Sequence, residues 1–226
     1  SGVVQAFNKH GRREVLNWCD NAYEHVKSLD EDYSDWLCIP KSIRMTSIKP
    51  SGTVSLLNGS TPGIHFPEDE YYIRRIRFSK DSKMIDKLRE AGYNIEEDKY
   101  TPNTLCVEFP VKEPYFMKGK KEISMWEQLE IAAQYQHYWA DNSVSVTVTF
   151  KPDEAPQIKD ALEMYETRLK AVSFLKYEET GYEQAPYEPI TKEQYEQLAA
   201  KITPVTRFDD VSGTGTKFCD GESCTI

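Results

Sequence analysis

An α/β fold is predicted for this 226-residue chain, and three observations predict it. Strand-like and helix-like stretches alternate along the sequence. The strands are separated by long helical patterns, which favour crossover connections and a mainly parallel sheet. A hydrophobic content of 39% over this length is enough to bury a core, in one to two domains of roughly 100 to 200 residues each. No repeat at fixed period is visible.

The first element is a helix from Arg12 to about Leu29, where Val15, Trp18, Cys19, Ala22, Val26 and Leu29 follow helical spacing and turn Cys19 toward a core. Arg44 to Ile48 reads as a short strand, and "KPSGTVSLLNGSTPG" then breaks into a loop and a short helix. Tyr71 to Phe78 is the next strand, Ser82 to Glu90 a helix, and Leu105 to Phe109 a strand holding Cys106. Ser124 with Glu127 makes a capping-box signature ahead of Met125, Leu129, Ala132 and Trp139 on one helical face. In "SVSVTVTF", Val144, Val146, Val148 and Phe150 alternate with Ser145, Thr147 and Thr149, the period-two signature of a strand. A helix through Ile158, Leu162, Tyr165 and Leu169, a strand from Val172 to Leu175 and a helix capped by Thr191 and Gln194 complete the series. After Ile202 apolar residues nearly vanish, so residues 1 to 202 read as the folded part and 203 to 226 as a mobile tail.

Charge and composition narrow the function. A net charge of −9 disfavours binding to a long polyanion, which needs a basic stripe to release counterions. A small phosphorylated ligand is compatible with it, and Arg74, Arg75 and Arg77 in "YYIRRIRFSK" are either local anion donors or solvated strand residues. No stretch approaches the ~20 apolar residues that span a bilayer, and no signal pattern opens the chain, so a cytoplasmic location without membrane contact is expected. Five cysteines are too few and too scattered for a secreted disulfide scaffold.

Two constellations carry chemistry. In "KPSGTVSLLNG", Gly52 permits a tight turn into a helix, whose first amides are unpaired and sit at the positive end of the dipole. Pro50, Ser51, Gly52, Thr53 and Val54 are therefore candidates for holding a phosphate; without a Gly-Lys-Ser/Thr ending this is no P-loop, and an ordinary glycine-containing loop fits the residues as well. The second is "FCDGESCTI", where Gly221 permits the turn that brings Cys219 and Cys224 together as an exchangeable dithiol. Asp220 and Glu222 disfavour the thiolate, so reach counts for more than activation. A flexible 24-residue tail spans about 27 Å root-mean-square. A zinc pair and an inert tail are the alternatives, the first lacking the usual four ligands.

The blocks "KPSGTVSLLNGSTPGIHFPEDEYYIRRIRFS", "DNSVSVTVTF", "YEQAPYEPIT" and terminal "CDGESC" together resemble the monomeric, adenosylcobalamin-dependent (class II) ribonucleoside-triphosphate reductases. The resemblance runs in order across nearly the whole chain. It implies the later half of a ten-stranded α/β barrel with a flexible C-terminal tail. It implies that Pro50 to Val54 bind the phosphates of a ribonucleoside triphosphate, and that residues 53–114 and 173–212 contact adenosylcobalamin. His65 is expected to be structural or to line the pocket, since these enzymes keep the cofactor's own base on cobalt. Cys219 and Cys224 match the tail dithiol that re-reduces the active-site disulfide and is recharged by thioredoxin.

The family's radical cysteine, in an Asn-x-Cys-x-Glu context, and its two reducing cysteines lie upstream and are not in this sequence. "NWCDN" imitates the motif, but Asn21 stands where the glutamate belongs and the stretch is helical, so Cys19 is not the radical site. Starting at Ser1 in mid-fold, the chain is expected to be a split-gene product, an intein-separated piece or an artificially shortened chain, inactive without an N-terminal partner. A stand-alone redox adaptor, docking a partner while its tail passes electrons, is the rival reading.

Overall fold

The computed structural model describes residues 1–52, 54–177 and 183–205. Two modules share the chain, one built on a helical core and one on an antiparallel sheet.

The helical module opens with α1 (Val3–His10) and α2 (Arg12–Leu37), which meet across Gly11. Here α2 runs a further two turns past the predicted end near Leu29. It stops where Cys38 turns left-handed (φ 53°) and Ile39 donates its amide to the Ser34 carbonyl, just before Pro40. The centre of the module is α5 (Met125–Tyr138), with Leu129, Ile131, Ala132 and Ala133 buried. Its Ser124 cap accepts from the Glu127 amide as predicted, while the Met125 amide donates to buried Glu154 at 2.8 Å, a second cap supplied from 29 residues away.

Against α5 lie β4 (Thr147–Phe150), α6 (Ile158–Tyr165) and β5 (Ser173–Lys176). β4 and β5 pair in parallel through the α6 crossover, and Ile48 adds a parallel bridge to Val144. The predicted strand at Arg44 to Ile48 is reduced to that single bridge. Val144, Val146 and Val148 are all buried, as the alternation required, whereas on α6 the buried residues are Ala161 and Tyr165 and Leu162 faces solvent.

The second module corrects the expectation of a mainly parallel sheet. β1 (Tyr71–Ser79), β2 (Asn94–Glu97), β3 (Thr104–Lys112) and β6 (Tyr187–Pro189) form an antiparallel sheet in the order β2, β3, β1, β6. From β1 the chain passes through α4 (Met84–Glu90) to the edge strand β2 and returns beside β1 through the β2–β3 hairpin, so every pairing in this sheet is antiparallel. Ile85 and Leu88 of α4 close over Val107 to make a second small core, which Val205 joins. The last helix, α7 (Lys192–Ala199), carries the complete capping box predicted from Thr191 and Gln194. Among the described residues no helix is long and apolar enough to cross a membrane.

Candidate functional site

The loop at Pro50 leads into α3 (Val54–Leu57), a single helical turn that agrees with the short helix predicted there. Ser51 holds a left-handed φ of 46°, uncommon for a residue with a side chain. Its carbonyl accepts from the amide (3.0 Å) and hydroxyl (2.6 Å) of buried Ser55, which fixes the turn. Gly52 faces open space: a Cβ built on it meets no atom within 4 Å. Val54 is exposed, and Thr53 lies outside the described residues. Of the five candidate phosphate-binding residues, four are thus placed on one tight turn at the surface.

Two residues that the sequence reading passed over hold this loop. The Gln5 side-chain amide donates to the Gly59 carbonyl at 3.0 Å and to the Glu113 carboxylate at 2.5 Å, and its oxygen accepts from the Thr61 amide. Glu113 is buried and also accepts from the Tyr72 hydroxyl at 3.2 Å. Burial pushes its carboxyl above the usual range, while the bonds from Tyr72 and Gln5 pull the other way. The Gly2 amide donates to the Thr61 carbonyl, and the Ser1 and Ser51 hydroxyls lie 2.8 Å apart. Nothing local in the sequence announces a pair 108 residues apart.

Gly63 explains how closely the loop folds back. Its φ is +51°, and a Cβ there would stand 2.6 Å from the Lys49 carbonyl oxygen, inside contact distance. Beside Lys49 opens a cleft of about 180 Å³, lined by residues of the β4 entry and the β5 entry, among them Ser143, Ser145, Ala171 and Ser173.

The three arginines of β1 are engaged within the protein, although the buried Nε of Arg74 has no hydrogen-bond partner among the described residues. Arg77, Arg75 and Arg74 donate in turn to the carbonyls of Gln184, Ala185 and Pro186, at 3.2, 3.1 and 3.2 Å. Arg75 also pairs with Glu108 and Glu188, Arg77 with Asp98, and the Arg74 guanidinium lies over the Tyr187 ring. The ladder straps the segment before β6 onto the sheet. This use was invisible in sequence because every carbonyl of the ladder is more than a hundred residues away.

His65 accepts from the Thr147 amide at 3.2 Å through Nε2, and its Nδ1 lies 3.1 Å from the Pro62 carbonyl. With both ring nitrogens engaged it ties the loop after α3 to β4, in line with a structural role. Cys19 packs against the helical core, its thiol pushed up by burial despite a hydrogen bond with Tyr135; such a thiol is a poor nucleophile. Cys106 is buried in β3, and burial raises its thiol too, against the pull of Arg77 and Arg75. Cys38 is exposed at the end of α2. Cys219 and Cys224 lie outside the described residues, as do 178–182 and 206–212 of the second expected cofactor segment. The described parts of 53–114 and 173–212 comprise α3, the antiparallel sheet with α4, β5 and α7.

No family model matches the chain. Over all of its length it is 47% identical to a probable adenosylcobalamin-dependent ribonucleoside-triphosphate reductase of Dictyostelium discoideum, of which it covers 31%. It is 41% identical over 99% of its length to the adenosylcobalamin-dependent ribonucleoside-triphosphate reductase of Euglena gracilis, covering 32% of that protein, and 44% identical over 84% to that of Levilactobacillus brevis, covering 26%. Among solved structures it matches a B-12 dependent (class II) ribonucleotide reductase with a TM-score of 0.79 at 40% identity, over 85% of this chain and 28% of the other. The chain therefore spans about a third of the length of the curated relatives it matches, and its fold is that of part of the class II reductase α/β barrel.

Proposed function

Because the chain is homologous along its length to a portion of the adenosylcobalamin-dependent ribonucleoside-triphosphate reductases, we propose that it is the C-terminal portion of such an enzyme, one that replaces the 2′-hydroxyl of ribonucleoside triphosphates with hydrogen. The 47% identity over the whole chain is the observation that carries this reading. In it, the turn Pro50, Ser51, Gly52, Thr53 and Val54 receives the substrate phosphates. The open space over Gly52 and the left-handed Ser51 favour this, since an anion needs backbone amides it can approach without a side chain in the way. Gln5 and Glu113 act at one remove, by holding the loop that follows.

Adenosylcobalamin is the cofactor in this reading, and when bound it supplies the radical initiator. Its residues here belong to 53–114 and 173–212. An amphipathic macrocycle of that kind calls for apolar surface, and the exposed Val54, Ile76 and Leu175 of these segments fit that demand. His65, engaged at both nitrogens, fits a cofactor that brings its own axial base. Cys219 and Cys224 serve as the dithiol relay from thioredoxin, and the radical cysteine belongs to the N-terminal part of the reductase.

Two substitutions in a reductase of full family length test these roles. Gly52→Val fills the space over the turn and is expected to raise the KM for the triphosphate far more than it lowers kcat. Cys219→Ser is expected to abolish turnover driven by thioredoxin while leaving turnover driven by a small dithiol. Unchanged thioredoxin-driven turnover in Cys219→Ser would refute the relay.

A further inference from the structure

The outer face of α2 carries more apolar surface than a solvated helix tolerates. Trp18, Leu29, Tyr33 and Trp36 fall within about 60° of one another around the helix, in a stripe about 27 Å long. All four are exposed, Trp36 to 76%, and so are Leu37 (65%), the last residue of the helix, and Ile43 (95%) six residues beyond it. The face that packs on α1 and α5 adjoins the stripe: it carries Leu16, Cys19 and Ser34 and reaches Val15, about five turns before Tyr33 and on the same side of the helix but buried. The stripe is ordered as well as exposed: the rings of Tyr33 and Trp36 meet edge to face at 5.3 Å, and the Trp18 indole donates to Glu14 at 2.7 Å. Contiguous apolar patches of this extent on a folded protein mark contact surfaces.

Charge and length decide what covers it. Seven acidic and three basic residues give α2 a net charge of −4, and Glu14 and Asp32 border the stripe on one side. A second copy of the chain laid on this face would bring acid against acid. A helix whose own apolar stripe is flanked by lysine and arginine would instead complement it, in the manner of packed bundle helices. The chain spans about a third of its relatives' length, so ample reductase sequence lies outside the 226 residues to supply such a helix. We propose that the Trp18 to Trp36 stripe of α2, with Leu37 and Ile43, is the docking surface for a basic-flanked amphipathic helix from the remainder of the reductase chain. This rests on the reading of the chain as a reductase portion.

Hydroxyl-radical footprinting read by mass spectrometry tests it, comparing the 226-residue chain with a reductase of full family length that carries these residues. Deoxynucleotide formation is measured on the same full-length sample. In the short chain Tyr33 and Trp36 should oxidise at rates set by their exposure. In the full-length protein they should be protected about tenfold, as expected when a side chain passes from mostly open to the desolvated centre of an interface. A tyrosine-containing reporter peptide added equally to both samples serves as the reference for overall dose.

Equal oxidation in the two proteins would overturn the docking surface, and if deoxynucleotide still formed, the reductase reading would stand without it. Protection without turnover would support the surface and count against the reductase reading. Protection already present in the short chain and lost on dilution would overturn the proposal in favour of a second copy. A Trp36→Ser and Ile43→Ser double variant in the full-length protein should restore oxidation at Tyr33. Because both positions are exposed, the same double substitution in the short chain should leave its melting temperature unchanged.

Discussion

Replacing Arg75 with alanine should weaken the sheet module by an amount that its contacts allow one to work out. The side chain is 10% exposed and meets Glu108 at 2.7 Å, Glu188 at 2.5 Å and the Ala185 carbonyl at 3.1 Å. Removing one partner of a buried ion pair costs about 3–5 kcal/mol, because the other charge is left without compensation. Two features reduce that figure here. Glu188 is half exposed and on release returns to water, which makes its share about 0–1 kcal/mol. Glu108 is the buried partner, at 14% exposure, but it keeps the Asn94 side-chain amide at 2.8 Å. The expected loss is therefore about 2–4 kcal/mol, read by urea unfolding at neutral pH. Arg75→Lys, which keeps the charge and loses the planar fork, should fall between wild type and alanine. Pairing Arg75→Ala with Glu108→Gln should cost less than the two single losses combined, since the second change removes the stranded charge. A loss below about 1 kcal/mol for Arg75→Ala, or strict additivity of the pair, would refute the view that Arg75 is the hub joining β1, β3 and β6.

Gly63→Ala should destabilise the chain by more than the roughly 1–2 kcal/mol of a left-handed residue with a Cβ, since that Cβ also meets the Lys49 carbonyl; thermal unfolding reads this, and a neutral effect would contradict the close approach. Glu113 has its carboxyl pKa raised by burial, so the folded state holds the proton more tightly than the unfolded state does. Stability from this group is present below the ordinary glutamate pKa of about 4.3 and is lost as pH rises through the raised folded value. Glu113→Gln should flatten that decline in a series of urea titrations, and an unchanged slope would show that Glu113 does not titrate as its burial requires. Thr191→Ala should remove about 1 kcal/mol with the loss of the α7 capping box, seen as faster hydrogen exchange in α7.

What was legible in the sequence was periodic or local. The alternation at Val144, Val146 and Val148 needs only the two-residue repeat of a strand, and the structure buries all three. The Thr191 and Gln194 pair needs only three residues, and the box forms. Signals that depend on distant partners were lost. The sheet direction is not legible because the one element the sequence announces between β1 and β3 is the helix from Ser82 to Glu90, while "NIEE" in β2 is too polar to register as a strand and sits at the sheet's edge. Leu162 kept helical spacing yet faces solvent, because spacing fixes a face and not what covers it. For the site, the turn at Ser51 and Gly52 was visible as a glycine-containing break before a short helix. Its support was not, since Gln5, Gly59, Thr61 and Glu113 come together only in the fold. The arginines of β1 show the same limit in reverse: a run that looked open to anions is consumed by carbonyls of the 184–186 segment.

We propose that these 226 residues form the phosphate-binding and thiol-relay portion of a ribonucleoside-triphosphate reductase. The most direct measurement is the conversion of a ribonucleoside triphosphate by a full-length reductase carrying them, with adenosylcobalamin and thioredoxin present. 2′-Deoxyribonucleoside triphosphate should form, and should cease to form when adenosylcobalamin is withheld. Absence of the deoxynucleotide from a folded, cofactor-supplied enzyme would contradict it.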